Sequence, residues 1–407
     1  MGIDVLVKQY LPIAILVLYF GFFRNKFRNL LLPTGLLVIS SAVFSSNFQF
    51  FYRGLGQMIV IVYIIYSFIK SRRRETSPFA KILLLYAFFI LCSLIGNSIN
   101  VKYFGSAVIN YASIAITAYY LVRESKDEKV KLDIFGMFTL LGIIISVVSV
   151  FEYLMTAARS EVTFSNSNFA SVFILVALVF SIEYLKKKKS KMVNAVAVVM
   201  LAGIMGTGSR TTFVIGLAVL FFQLLSVKNM MRLALPFIIL IGILGSDYGE
   251  TMFNRYDDME EDASVLERLE IIEASKEIIK AHPFNGIGYG QFQVQFSRYL
   301  PHSVADLLLK RDEIVTHNDY LRIADELGLV AFSICMLFIL SLLVRIYKLY
   351  GIDSSYLGML FAILVFSTTH NNLNSFVTWY IIGLCYEAVV KAKEEKKPQS
   401  ISQCKSV

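Results

Sequence analysis

Charge is scarce in this chain for its length. Only 17% of its 407 residues are Asp, Glu, Lys or Arg, against 56% hydrophobic residues and a mean hydropathy of +0.63. A soluble domain carries about 25% charged residues, so a soluble globular fold is excluded. A membrane span needs about 20 apolar residues, and the chain offers many such runs, which indicates an all-α, multi-span integral membrane protein. Cysteine is scarce too. Cys92, Cys335 and Cys385 lie in apolar runs and Cys404 near the C-terminus, with no metal or redox spacing between any two. Neither a disulfide frame nor a thiol-ligated metal is expected. Histidine is limited to His282, His302, His317 and His370, and no two stand at metal-ligand spacing. No metal and no cofactor are expected. The first residues hold Asp4 and Lys8 without a small-residue cleavage site, so they do not read as a cleaved signal peptide.

The net charge of +9 invites a nucleic-acid reading, but the placement of the cations opposes it. Lys and Arg cluster between apolar runs, in "RNKFRN" (24–29), "KSRRRE" (70–75), "RESKDEKVK" (123–131) and "KKKKSK" (186–191). That is the positive-inside pattern, and no nucleic-acid partner is expected. The basic tail "KAKEEKKPQ" reads as a solvated cytoplasmic end with some attraction to anionic lipid. Apolar runs fall near 5–23, 30–46, 55–69, 79–96, 104–122, 133–156, 167–185, 192–207, 211–227, 233–247, 327–346, 355–371 and 376–391. They predict about 13 spans, or 12 if the first run does not fully cross. With the basic clusters inside, a bundle over 1–247 is followed by an outer segment over 248–326. A second bundle spans 327–391, and a disordered cytoplasmic tail spans 392–407.

The outer segment, about 79 residues long, holds three of the four histidines and the acidic run "DDMEED" (257–262). It exceeds an ordinary connection, and long segments on one face usually carry function. "SVLE" predicts a capping box, with Ser264 as cap and Glu267 reaching back. Val265, Leu269, Ile272 and Ile279 then share one helical face. The helix ends at "AHPFNGIGYG", where Pro283 and the glycines forbid continuation. "THND" (316–319) reads as a second [ST]-x-x-[DE] cap, with His317 in the first helical turn.

Several residues could carry chemistry. On the outer face positive charge is sparse, and Arg53, Lys102, Arg159 and Arg210 are the exceptions. Arg210, in "GTGSRTTF", follows the expected cap Ser209. A cation there opposes the helix dipole by about 0.3–1 kcal/mol, which favours a functional role over snorkelling to lipid phosphates. Arg268 sits in the first turns of its helix, where surface pairing with Asp262, Glu267 or Glu270 is the plainer reading. At a first helical turn His317 would stay neutral and able to take a proton, although spacing alone leaves a surface polar role equally open. His370, in "STTHNNLNSF", is polar near the outer end of a span and should face the protein interior. The asparagines of "FSNSNFA" could cap a helix, or bind sugar or phosphate. "GIGYG" follows a helix and opens no βαβ unit, so a nucleotide site is not expected. "DDMEED" reads as a solvated acidic loop in preference to a cation site.

Three stretches together resemble the O-antigen ligase and polymerase family of bacterial membrane proteins. They are "GTGSRTTF", "ERLEIIEASKEIIKAHPFNGIGYGQF" and "THNDYLRIADELGLVAF". They follow the family's order of an arginine before a helix, a P-x-x-G-x-G turn, and an HN-x-[YF]-L run ending in E-x-G. The likeness spans about residues 160–385. Ser167 stands where the family commonly has proline, and Asn374 where it often has aspartate. The resemblance implies a GT-C type glycosyltransferase that needs neither metal nor cofactor. Such an enzyme moves a glycan from undecaprenyl pyrophosphate to an acceptor hydroxyl at the outer face of the bacterial plasma membrane. By position, Arg210 and Arg268 would bind the pyrophosphate, and His317 would be the catalytic acid or base. Asn168, Asn318, Tyr320 and His370 would contact pyrophosphate or glycan. Partners implied are the lipid-linked oligosaccharide, membrane lipid and a chain-length regulator. Polymerase action on O-antigen or capsule repeat units is the preferred expectation. Ligase action on lipid A core or a protein is the near alternative. A flippase or exporter of the same lipid is a third, and it would need paired half-repeats that the sequence does not show.

Overall fold

The computed structural model describes residues 76–156, 158–162, 164, 167–224, 263–300 and 316–395. The expected spans over 5–23, 30–46, 55–69 and 233–247, the acidic run, Arg53, His302 and Cys404 lie outside the described residues. Among those described, the long elements are helices: α1 (Ala80–Cys92), α2 (Val101–Glu124), α3 (Glu128–Thr156), α4 (Ser167–Lys187) and α5 (Val193–Gly206). They continue with α6 (Arg210–Leu224), α7 (Ala263–Ala281), α8 (Asp319–Tyr350), α9 (Ser355–Phe366) and α10 (Phe376–Glu395). Helices α2, α3, α4 and α8 are long and apolar enough to cross a membrane, and α1, α5, α6 and α9 are shorter apolar helices. The chain is an all-α integral membrane protein.

Small residues let the spans approach closely, as helix packing in lipid requires. Ser149 on α3 donates to the Gly203 carbonyl of α5 at 2.9 Å. Phe135 of α3 stacks on Phe180 of α4 at 4.5 Å between ring centres. Polar contacts between elements gather at two ends of the bundle. One end carries the lysine-rich turns, with Lys187 to Glu128 at 3.0 Å and Ser355 to Glu183 at 2.6 Å. The other collects the turns 93–100, 158–162, 206–210, 282–292, 316–328 and 366–376.

The glycine turn after α7 is built into this second end. Ile287 N donates to the Asp325 carbonyl at 2.8 Å, and Leu329 N to the Pro283 carbonyl at 2.8 Å. Two glycines make this approach possible. A Cβ on Gly286 (φ 67°) would lie 2.5 Å from the Asp325 carbonyl oxygen, and one on Gly328 (φ 84°) 2.2 Å from that of Phe284. Both also hold the left-handed φ that side chains disfavour. At Gly328 (φ 84°, ψ 168°) helix α8 breaks into a short first piece and a long apolar second piece. The P-x-x-G-x-G and E-x-G elements of the sequence are therefore two halves of one backbone contact.

Three local expectations need correction. The N-cap of α8 is Asn318, whose Oδ1 accepts from Tyr320 N at 2.9 Å and Leu321 N at 3.1 Å. Thr316 instead donates to Asn371 Oδ1 at 2.9 Å, and His317 precedes the helix in a left-handed conformation (φ 48°). Ser264 lies inside α7 and not at its cap. The buried stripe of α7 is Ile271, Ala274, Ser275 and Ile278, while Leu269 is exposed. This stripe packs on Ile287, Phe292 and Phe296, and Ser275 donates to Asp325 Oδ2 at 2.7 Å. In addition, α10 runs on to Glu395, past Lys391 where the tail was expected to begin.

Candidate functional site

The site is assembled from four turns at the glycine-turn end of the bundle. On the first, Glu152 is buried and accepts from Ser160 Oγ at 2.5 Å and Val162 N at 3.0 Å, which fastens the segment after α3. Arg159 in this segment donates from Nε to the Thr207 carbonyl at 3.1 Å and from Nη2 to Asn168 Oδ1 at 3.1 Å. Asn168 thus stands in the first turn of α4 beside a guanidinium. Arg210 is the first residue of α6, as expected, three residues beyond that carbonyl. Ser209 Oγ and Thr212 Oγ1 share a hydrogen bond of 2.8 Å, and Thr212 meets Ser171 of α4 at 2.8 Å.

The second half comes from α8 and the turn after α9. Asp319 accepts from Asn372 N at 2.6 Å and from Leu373 N, and its own N–H donates to the Ser367 carbonyl at 2.9 Å. Its carboxylate therefore closes the turn that carries His370 against the start of α8. Loss of these bonds in Asp319→Ala should destabilise the fold by about 1–3 kcal/mol. Thermal unfolding of the purified variant in detergent measures it, with Asp319→Asn as the milder comparison. Nearby, Arg322 donates to Glu326 Oε2 at 3.2 Å and Asn374 Oδ1 at 2.7 Å and lies over the Tyr289 ring. Asn374, where the family often has aspartate, thus serves as a neutral acceptor for an arginine already balanced by Glu326.

Helix α9 ends at Phe366, so His370 lies beyond it, with 8% of its surface exposed. Its ring stacks on Phe366 at 4.2 Å, and Nδ1 is 2.9 Å from Thr369 Oγ1. Burial, together with the nearby His317, Arg268 and Arg159, pushes its pKa down to about 3. His317, Arg268 and Arg159 thus lie near enough to act on the charge of His370, and Arg159 bonds to Asn168 and to the turn before Arg210. Arg159 was absent from the expected site, and its sign of charge on the sparsely basic face was the available signal. Of the other expected contacts, the Asn318 side chain caps α8, and the Tyr320 hydroxyl donates to the Leu364 carbonyl at 2.8 Å.

The depressed pKa has a measurable consequence. Folded His370 stays unprotonated above about pH 3, whereas unfolded it binds a proton below about 6.5. Its contribution to stability is complete above the unfolded value and falls as pH drops from there towards 3, by up to about 1.4 kcal/mol per pH unit. Thermal unfolding between pH 7 and 4 should show a shallower decline for His370→Phe than for the wild type.

An apolar groove runs between α1, α8, α9 and α10. Asp319 and Ser367 stand at its lining, and Phe89, Cys335, Ile339 and Ile363 are among its walls. Residues 195–336 match the family model described as O-antigen ligase. The match contains Arg210, Arg268, the glycine turn and His317, while Arg159, Asn168 and His370 fall outside it. No curated protein matches the chain. The matched residues span the arginine turn, the glycine turn and the histidine segment, so this part of the chain is similar to the O-antigen ligase family.

Proposed function

We propose that the protein is a GT-C type polymerase at the outer face of a bacterial plasma membrane. It transfers a growing glycan from undecaprenyl pyrophosphate to a hydroxyl of the next lipid-linked repeat unit. What supports this reading is the charge that His317, Arg268 and Arg159 bring to bear on the buried His370, with Arg159 bonded to the turn before Arg210 and an apolar groove lined by Asp319 and Ser367. Guanidinium forks suit pyrophosphate oxygens, and the groove suits the polyprenyl tail of the same molecule.

In the transfer, the acceptor oxygen attacks the anomeric carbon from the side opposite the carrier and inverts it. The bond from that carbon to the phosphate oxygen breaks, and its electron pair leaves on the pyrophosphate. Arg210 and Arg268 stabilise that developing charge. The hydroxyl proton passes to His317. None of these steps calls on a metal, and the proton has a residue to receive it.

Ligase action is the second reading, favoured by the description of the matching family. The two separate in one assay. A purified lipid-linked repeat unit, incubated alone with the enzyme, should yield longer chains. If product forms only after a second acceptor is added, ligase action replaces polymerase action.

A further inference from the structure

We infer that His370 is the acceptor-side ligand of this site, with Nε2 accepting a hydrogen bond from a glycan hydroxyl while the neighbouring cations take the phosphates. The inference rests on the glycan-transfer reading above and assigns the two halves of the substrate to different residues.

Four observations point to it. The ring is held in place: one face lies on Phe366 with planes 11° apart, and the turn that carries it is closed by Asp319 and by Thr316 on Asn371. The Thr369 hydroxyl donates to the Phe366 carbonyl at 3.2 Å. With that hydrogen assigned to the carbonyl, the ring hydrogen is assigned to Nδ1, facing Thr369 Oγ1, and Nε2 to the acceptor role. Nε2 is buried and finds no hydrogen-bond partner among the described residues. A buried acceptor left unpaired is unfavourable, so the natural occupant brings a hydrogen.

The identity of that occupant follows from charge. Burial first, then His317, Arg268 and Arg159, keep the ring uncharged. An ionised pyrophosphate has no hydrogen to donate, and its oxygens would face the Nε2 lone pair. It belongs with the guanidinium groups. A sugar hydroxyl has the hydrogen that Nε2 lacks, and its oxygen can still turn a lone pair towards an electrophile. His370 therefore orients the acceptor, whereas His317 receives the proton.

The test uses the full-length protein in nanodiscs, with two readouts. Binding of sugar-free undecaprenyl pyrophosphate reports the phosphate side, and the initial rate of polymerisation of a defined lipid-linked oligosaccharide reports the whole reaction. His370→Phe keeps the stack on Phe366 and removes the acceptor. It should bind the carrier as the wild type does and polymerise roughly tenfold more slowly at low substrate, chiefly through KM. His370→Gln, which offers an acceptor oxygen, should recover part of the rate. Carrier binding weakened in His370→Phe as much as in Arg210→Ala would place His370 on the phosphate side and overturn the inference. An unchanged rate would overturn it equally. If Arg210→Ala binds the carrier normally, the glycan-transfer reading itself fails and the inference falls with it. Should His370→Phe not fold, Thr369→Val frees the tautomer while leaving the imidazole, and a rate equal to wild type is then the contrary result.

Discussion

Arg210→Ala should lower polymer formation about 100–1000-fold, the usual loss when one donor to a developing anion is removed. His317→Ala should lower it on the order of 100–10,000-fold, by removing the proton acceptor. Both act at the same event, because bond cleavage to the pyrophosphate needs the charge accepted on one side and the proton removed on the other. Their combined loss should be less than the product of the two, as for residues that act as a unit. Arg210→Lys should fall between, since lysine keeps the charge without the bidentate fork. The measurement is glycan length in cells at matched membrane levels, followed by rates on a defined lipid-linked unit. Normal polymer from either alanine variant, at normal expression, would remove that residue from the mechanism.

Gly328→Ala should be the most damaging single methyl group in the described structure. The added Cβ would meet the Phe284 carbonyl oxygen at 2.2 Å and its carbon at 2.3 Å, both backbone atoms that no rotamer change can move aside. The residue would also have to keep a left-handed φ of 84°. Strain of this kind is worth about 1–3 kcal/mol before any overpacking is counted, and overpacking adds roughly 1–3 kcal/mol more. Gly105→Ala is the control. Its Cβ meets nothing within 4 Å among the described residues, and it lies inside α2. Replacing a helical glycine there should stabilise by about 0.4–1 kcal/mol. Unfolding temperatures of the two variants in detergent should move in opposite directions. Equal behaviour would mean that the contact between the glycine turn and α8 is looser than these distances state.

Most described helices were legible in the sequence as apolar runs. The runs over 79–96, 133–156, 167–185 and 355–371 appear as α1, α3, α4 and α9 with ends shifted by a few residues. What escaped reading depended on partners distant in the chain. Helix α7 has apolar residues nearly all round, and its buried stripe includes Ser275, which becomes acceptable only because Asp325 receives its hydrogen bond. Periodicity alone chose Leu269, which is exposed. Likewise "THND" satisfies the capping pattern at Thr316, but Asn371 draws that hydroxyl away and Asn318 caps instead. The candidate site was visible as residue types on one side of the membrane. Its arrangement was not, since nothing in the sequence shows that Asp319 would pin the His370 turn, or that Arg159 would bridge Asn168 and Thr207.

The glycine turn also decides what can be exchanged between relatives. Its backbone and side chains are read by the residues between α1 and α2. Asn97 donates to the Gly286 carbonyl at 2.8 Å, Asn285 donates to the Ile95 carbonyl, Tyr289 N donates to Ser93 Oγ at 3.0 Å, and Gln291 accepts from Asn100 N at 2.8 Å. The segment is thus a plug with its own socket. A chimera that grafts the segment around the glycine turn from a protein of the O-antigen ligase family without residues 93–100 would exchange one partner of each of those contacts and keep the other. One that transplants plug and socket together, and keeps the glycine at 328, preserves them, so the transferable cassette is discontinuous in sequence.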